Sequence, residues 1–177
     1  MKKFLMLVMM ISIFCGGVDA LAATKRSGSA NAAAKSAARR NSGFTLKNQN
    51  DASVAVSFPR DKVTVLIFGD REGAEQIEGW VRPMYNQFGD KIEVYGIAEL
   101  SAVPRLARGV VRRIIKSKTK YSVLLDWSGA VSKAYSYQKG KANVVVIGKN
   151  GAVLGKRTGA ANRYGLLGVY KHINSGL

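Results

Sequence analysis

The apolar residues of this chain change period several times, and each change marks an element. Residues 63–68 (VTVLIF) are almost wholly apolar and rich in β-branched side chains, which predicts a strand buried on both faces. Past Gly69 and Asp70 the spacing lengthens. Ile77, Trp80, Val81, Met84, Tyr85 and Phe88 recur at helical intervals. Pro83 falls inside that helix and is expected to kink it, having no N–H to give the preceding turn. Residues 92–97 (IEVYGI) read as the next strand.

On the N-terminal side, residues 44–46 and 54–58 alternate apolar with polar or small residues around Asn48, Gln49, Asn50 and Asp51, a hairpin signal. Downstream, residues 103–118 split into two stripes. Leu106, Ala107, Val110, Val111, Ile114 and Ile115 form one, expected to pack on the sheet. Arg105, Arg108, Arg112, Arg113 and Lys116 form the other, expected to stay in solvent. A short strand at 123–125, a turn at 126–129 and a short helix at 130–137 follow. A strand at 143–147 then turns at Lys149, Asn150 and Gly151 into an antiparallel return at 153–157. A last helix at 161–173 carries Tyr164, Leu167, Tyr170 and Ile173 on one face. No internal repeat is visible. This order predicts a three-layer α/β sandwich with a central mixed sheet, flanking helices and an N-terminal β-hairpin. Strands 63–68 and 92–97 should be parallel neighbours. Strand 144–147 should lie on the other side of the former and pair with 153–157.

The N-terminus is a different kind of segment. Lys2 and Lys3 precede an apolar run at 4–15, too short for a spanning helix of about 20 residues. Ala20 and Ala22 then supply the small residues of a secretory cleavage site, so residues 1–22 read as a signal peptide removed after Ala22. An uncleaved anchor is one alternative. A lipoprotein acylated at Cys15 is another, against which the bulky Phe14 argues. The expected product is periplasmic and has no transmembrane span after cleavage. Residues 23–43, rich in Ala, Ser, Gly and Lys/Arg, read as a flexible basic linker. Residues 44–177 then form one domain, long enough to build a core unaided. The single cysteine, Cys15, lies in the leader, so the mature chain has no thiol for a disulfide or for catalysis.

Charge is divided along the chain. The formal total is +17, yet residues 51–99 hold nine acids and five bases, whereas residues 100–177 hold fifteen bases and one acid, Asp126. That asymmetry suits an anionic membrane surface, a polyanion or an acidic protein partner; simple solubilisation is the other reading. No signature of specific nucleic-acid readout is present. No spacing of His, Cys, Asp or Glu suits a metal, and no phosphate loop or other cofactor signature occurs.

Several segments resemble the redoxin branch of the thioredoxin-like superfamily, which includes the peroxiredoxins. The hairpin at 44–58 is similar to the N-terminal hairpin of redoxins, and KVTVLIF at 62–68 to their central strand. YSVLLD at 121–126, with Gly129 and SKAY at 132–135, resembles a peroxiredoxin segment, and NVVVIGKNG at 143–151 a further strand and turn. The resemblance spans roughly residues 44–174. It implies a thioredoxin-like fold with two reactive cysteines at the start of the helix after the central strand, and a cis-proline beside them. At those positions this chain carries Gly73, Gln76 and Ala142. The departures remove both thiols and the proline that shapes substrate docking.

What chemistry remains clusters at the same junction. Asp70, Arg71 and Glu72 are candidate ligand contacts, with Asp70 a conceivable base and Arg71 an anion guide; capping of the helix by Asp70 is the structural alternative. Trp127 is a candidate pocket wall or core residue. Three functional expectations stand: an exported binding module without thiol chemistry, a redoxin-type oxidoreductase, and a binder of polyanions or anionic membrane surfaces.

Overall fold

The computed structural model describes residues 43–177; residues 1–42, with Cys15, the expected signal peptide and nearly all of the expected linker, lie outside the described residues. Seven strands form one sheet in the order β2-β1-β5-β4-β3-β6-β7. They are β1 (Gly43–Asn48), β2 (Ser53–Ser57), β3 (Val63–Gly69), β4 (Ile92–Glu99), β5 (Val123–Asp126), β6 (Asn143–Ile147) and β7 (Val153–Thr158). Four α-helices accompany them, α1 (Ala74–Phe88), α2 (Arg108–Lys118), α3 (Ala130–Ala134) and α4 (Arg163–Gly176), and a 3-10 turn, Arg105–Ala107, leads into α2.

β3 occupies the centre, and every one of its residues is buried. Val63, Val65 and Ile67 face one layer, with Trp80, Val81, Met84 and Phe88 of α1 and Val169 and Ile173 of α4. Leu66 and Phe68 face the other, with Val56, Leu124, Tyr135, Val145 and Ile147. A strand enclosed on both sides carries apolar residues at consecutive positions, as the sequence does. β3 runs parallel to β4, pairing Val63 with Ile92 through Gly69 with Ala98. β6 lies antiparallel on its other side and pairs in turn with β7. These are the expected neighbours. The crossovers β3-α1-β4 and β4-α2-β5 give parallel pairs, while the hairpin closes one edge through an antiparallel pairing of β1 with β5.

The last helix presents a different face from the one expected. α4 turns Val169 and Ile173 into the core, with Leu166 and Tyr170 packed beside them, and leaves Tyr164 and Leu167 exposed. Gly165 sets this rotation. A β-carbon there would come within 2.8 Å of the Trp80 ring, so the helix presses its glycine side onto that indole. The Trp80 N–H is satisfied by the Gly159 carbonyl at 2.8 Å. α1 runs from Ala74 to Phe88 with Pro83 inside it.

At the end of β5 a fully buried carboxylate organises α3. Asp126 accepts hydrogen bonds from the Ser132 amide at 2.8 Å, the Ser132 hydroxyl at 2.9 Å and the Ser128 hydroxyl at 3.1 Å. Removing it strands buried donors, a loss of roughly 3 kcal/mol or more. Asp126→Ala should therefore lower the unfolding free energy by that amount, read as a lower urea midpoint with an unchanged denaturant slope. An unaltered midpoint would show that α3 is held by packing alone.

Candidate functional site

The junction between β3 and α1 is built around Asp70. Its carboxylate accepts the Gly73 amide at 2.9 Å on one oxygen and the Gly140 amide at 2.7 Å on the other. The same residue donates its own amide to the Tyr137 hydroxyl at 2.8 Å. One side chain thus ties the turn leading into α1 to the segment that precedes β6. Partial burial opposes ionisation of Asp70, but the amides of Gly73 and Gly140 outweigh it and hold the carboxyl below its ordinary value of 3.8. Burial and the neighbouring Asp70 carboxylate push the Tyr137 hydroxyl well above its ordinary value, while the Asp70 amide pulls the other way.

Gln76 makes a second tie. Its side-chain oxygen accepts the Ala142 amide at 3.2 Å, and its amide nitrogen donates to the Gly140 carbonyl at 3.4 Å. Asn143 makes a third from inside β6, donating to the carbonyls of Gln138 and Lys141 at 2.9 and 2.8 Å and accepting the Gln138 amide at 2.9 Å. The Ala142 carbonyl is taken by the Gly159 amide at 2.8 Å. Segment 138–142 is therefore held at both backbone groups of Gln138, Gly140 and Ala142 and at the Lys141 carbonyl. Among the described residues the cis peptide bond lies at Phe58–Pro59, so the Lys141–Ala142 bond is trans.

Gly73 is buried beneath this segment. A β-carbon at Gly73 would lie 2.5 Å from the Lys141 carbonyl oxygen and 2.6 Å from its carbon. Both are backbone atoms, held in place by Asn143. Of the candidate contacts, Asp70, Gly73, Gln76 and Ala142 come together here. Arg71 and Glu72 are exposed on the turn. Each Asp70 oxygen accepts a backbone amide, the arrangement of a turn cap. Tyr137, Gly140 and Asn143 complete the cluster and were not singled out in the sequence. The positive φ of Gly140, 74°, was signalled only by its glycine.

Trp127 lies apart from this junction. It is half-buried beneath Arg108, whose guanidinium carbon stands 5.3 Å from the ring centroid and whose terminal nitrogen donates to the Trp127 carbonyl at 3.3 Å. Arg112 is likewise tied back, to Asp51 in the β1–β2 turn. The expected division of α2 is thereby overturned in part. Arg108 and Arg112 turn inward with Val111, Ile114 and Ile115, and no residue of α2 is fully buried. Val110 is 58% exposed, Leu106 in the 3-10 turn just before α2 is 99% exposed, and Arg105, Arg113 and Lys116 are exposed as well. A cleft of about 370 Å³ opens between this helix and the β1–β2 turn, lined by Gln49, Asn50, Asp51, Arg112, Arg113 and Lys116. Among the described residues no cluster of His, Cys, Asp and Glu suits a metal, and no helix is long and apolar enough to cross a membrane.

The sheet order, the central strand and the helix that starts at its end define a thioredoxin-like α/β fold. Solved structures of that fold superpose on most of the chain. The exposed lipoprotein thioredoxin Etrx1 of Streptococcus pneumoniae aligns with a TM-score of 0.59 and 16% identity, over 73% of this chain and 98% of its own. A thiol:disulfide interchange protein DsbE of Chlorobium tepidum aligns at 0.55 and 18% identity, over 76% and 92%. StoA of Bacillus subtilis aligns at 0.53 and 14% identity, over 73% and 95%. At these identities the likeness is one of fold. No protein-family model matches the chain, and no curated protein sequence matches it.

Two outcomes test the junction. Gly73→Ala should destabilise by about 1–3 kcal/mol through forced displacement of backbone. Gly109→Ala, in α2 with open space around its Cα, should stabilise by about 0.5–1 kcal/mol. Equal effects in chemical denaturation would show that segment 138–142 yields freely. The second outcome concerns pH. Because folding lowers the Asp70 pKa, the charged form favours the folded state. That contribution is complete above about pH 4, the unfolded value, and is lost as pH falls through the lower folded value. Asp70→Asn should lose less stability than the wild type between pH 6 and pH 3, and parallel curves would contradict this.

Proposed function

We propose that this chain is an exported thioredoxin-fold binding module that performs no thiol chemistry. The observation that carries the reading is the crowding at Gly73. In the redoxin resemblance this is the place of the first reactive cysteine, and here the Lys141 backbone occupies the space of its β-carbon. Gln76, at the place of the second, spends both ends of its side chain on segment 140–142. Ala142 stands where the family has its proline. Residues 43–177 contain no cysteine, and thiol-disulfide exchange needs a thiolate nucleophile. The fold is retained while the pocket around its usual chemistry is filled by backbone and hydrogen bonds.

A redoxin-type oxidoreductase is the second reading. It is favoured by the printed descriptions of the structural neighbours, which include a thioredoxin and a thiol:disulfide interchange protein. For this chain to work that way, its sole cysteine, Cys15, would have to survive export and reach the junction. Export itself is supported by the leader-like residues 1–22 and by the description of one neighbour as an exposed lipoprotein.

The purified protein should neither reduce the disulfides of insulin nor consume hydroperoxide in the presence of a thiol reductant. Turnover clearly above a protein-free control, insensitive to metal chelation, would overturn the thiol-free reading and favour the oxidoreductase.

A further inference from the structure

The outward face of α2 is unusual for a surface helix. Val110 of α2 is 58% exposed, and Leu106, in the 3-10 turn Arg105–Ala107 that leads into the helix, is 99% exposed, while Val111, Ile114 and Ile115 are partly buried. Arg105, Arg113 and Lys116 flank them, all exposed, and none has an acceptor or ion-pair partner among the described residues. Arg108 and Arg112, by contrast, are engaged with Trp127 and Asp51. Between Leu100 and Leu125 the chain holds seven Lys or Arg and no acid, so nothing on this stretch neutralises the free cations. The tethered arginines turn one side of α2 inward, which leaves Val110 exposed beside Leu106 of the preceding turn and three unpaired cations.

We propose that this face docks on an anionic lipid bilayer, with Arg105, Arg113 and Lys116 at the headgroup phosphates and Leu106 and Val110 dipping into the acyl boundary. Charge complementarity selects an anionic occupant. The apolar element selects a bilayer over a soluble polyanion, which has no hydrocarbon layer to receive a leucine. Two apolar side chains are also too few for the core of a protein interface, which needs about 800 Å² per partner. A bilayer accepts such a small foot because cations and apolar contact act together. The cleft beside the helix is lined by Arg113 and Lys116 and by Asp51, whose charge is paired with Arg112, so its two free cations give a headgroup a place to sit. This docking names the partner class of the proposed binding module and uses no atom of the Asp70 junction, so the redox assay and the test below fail separately.

The test is co-sedimentation of the protein, purified in its natural processed form, with vesicles of phosphatidylcholine mixed with phosphatidylglycerol, against phosphatidylcholine alone. The wild type should bind the anionic vesicles at physiological salt, and binding should fall as salt is raised. Each cation lost near an anionic surface lowers partitioning about fivefold. Arg105→Gln/Arg113→Gln/Lys116→Gln together should therefore bind on the order of 100-fold more weakly. Leu106→Ser/Val110→Ser should bind roughly tenfold more weakly. All five positions are exposed, and unchanged thermal melts will show that the variants fold. Equal binding to neutral vesicles, or no binding at physiological salt, overturns the proposal. So does wild-type binding by either variant: an unaffected apolar variant would assign the face to a soluble polyanion instead.

Discussion

One carboxylate joins the two halves of the junction at the end of the central strand. Asp70 accepts an amide from Gly73, three residues along the chain, and another from Gly140, seventy residues away. Charged acceptors make stronger hydrogen bonds than neutral ones, and here both oxygens are used on backbone. Segment 138–142 is thereby drawn down over the start of α1. Gln76 and Asn143 fasten the rest of it, and Gly73 is left with no space for a side chain. The same position that a thioredoxin-like fold ordinarily offers to chemistry has become, on the reading proposed, part of the packing.

The basic helix follows a similar logic at another place. Its inward side is fixed by two arginines with distant partners, Trp127 and Asp51. Asp51 belongs to the acidic stretch of the sequence and Arg112 to the basic one, so the charge division of the chain is partly closed by folding. Committing Arg108 and Arg112 inward leaves Val110 exposed, next to Leu106 of the preceding turn. A helix rotated to bury its full apolar stripe would free those arginines and lose their contacts.

Much of the fold was legible because the sheet imposes itself on the sequence. β3 reads as a strand buried on both faces because every side chain meets apolar neighbours. Its neighbours β4 and β6 follow from the order of elements. The helix faces were less legible. In α2 the apolar and basic stripes overlap around the helix, and the choice between rotations depends on Asp51 and Trp127, which periodicity within 103–118 does not contain. In α4 the packing face was set by Gly165 against Trp80, a contact between residues eighty-five apart in which the informative side chain is a hydrogen. At the junction, Asp70, Gly73 and Gln76 were visible from their place after the central strand. Tyr137, Gly140 and Asn143 were not, because their roles are hydrogen bonds to backbone, which leave no residue pattern.

The closure of the junction is tested most directly by amide hydrogen exchange in the folded protein, read residue by residue by NMR. The amides of Gly73, Gly140 and Ala142 all donate to side chains that bridge α1 and segment 138–142. They should exchange far more slowly than in an unstructured peptide, and those of Gly73 and Gly140 should speed up together in Asp70→Asn. Exchange of Gly140 and Ala142 at unstructured-peptide rates in the wild type would mean that the segment stands away from Gly73, and that the site is open to a ligand or a thiol after all.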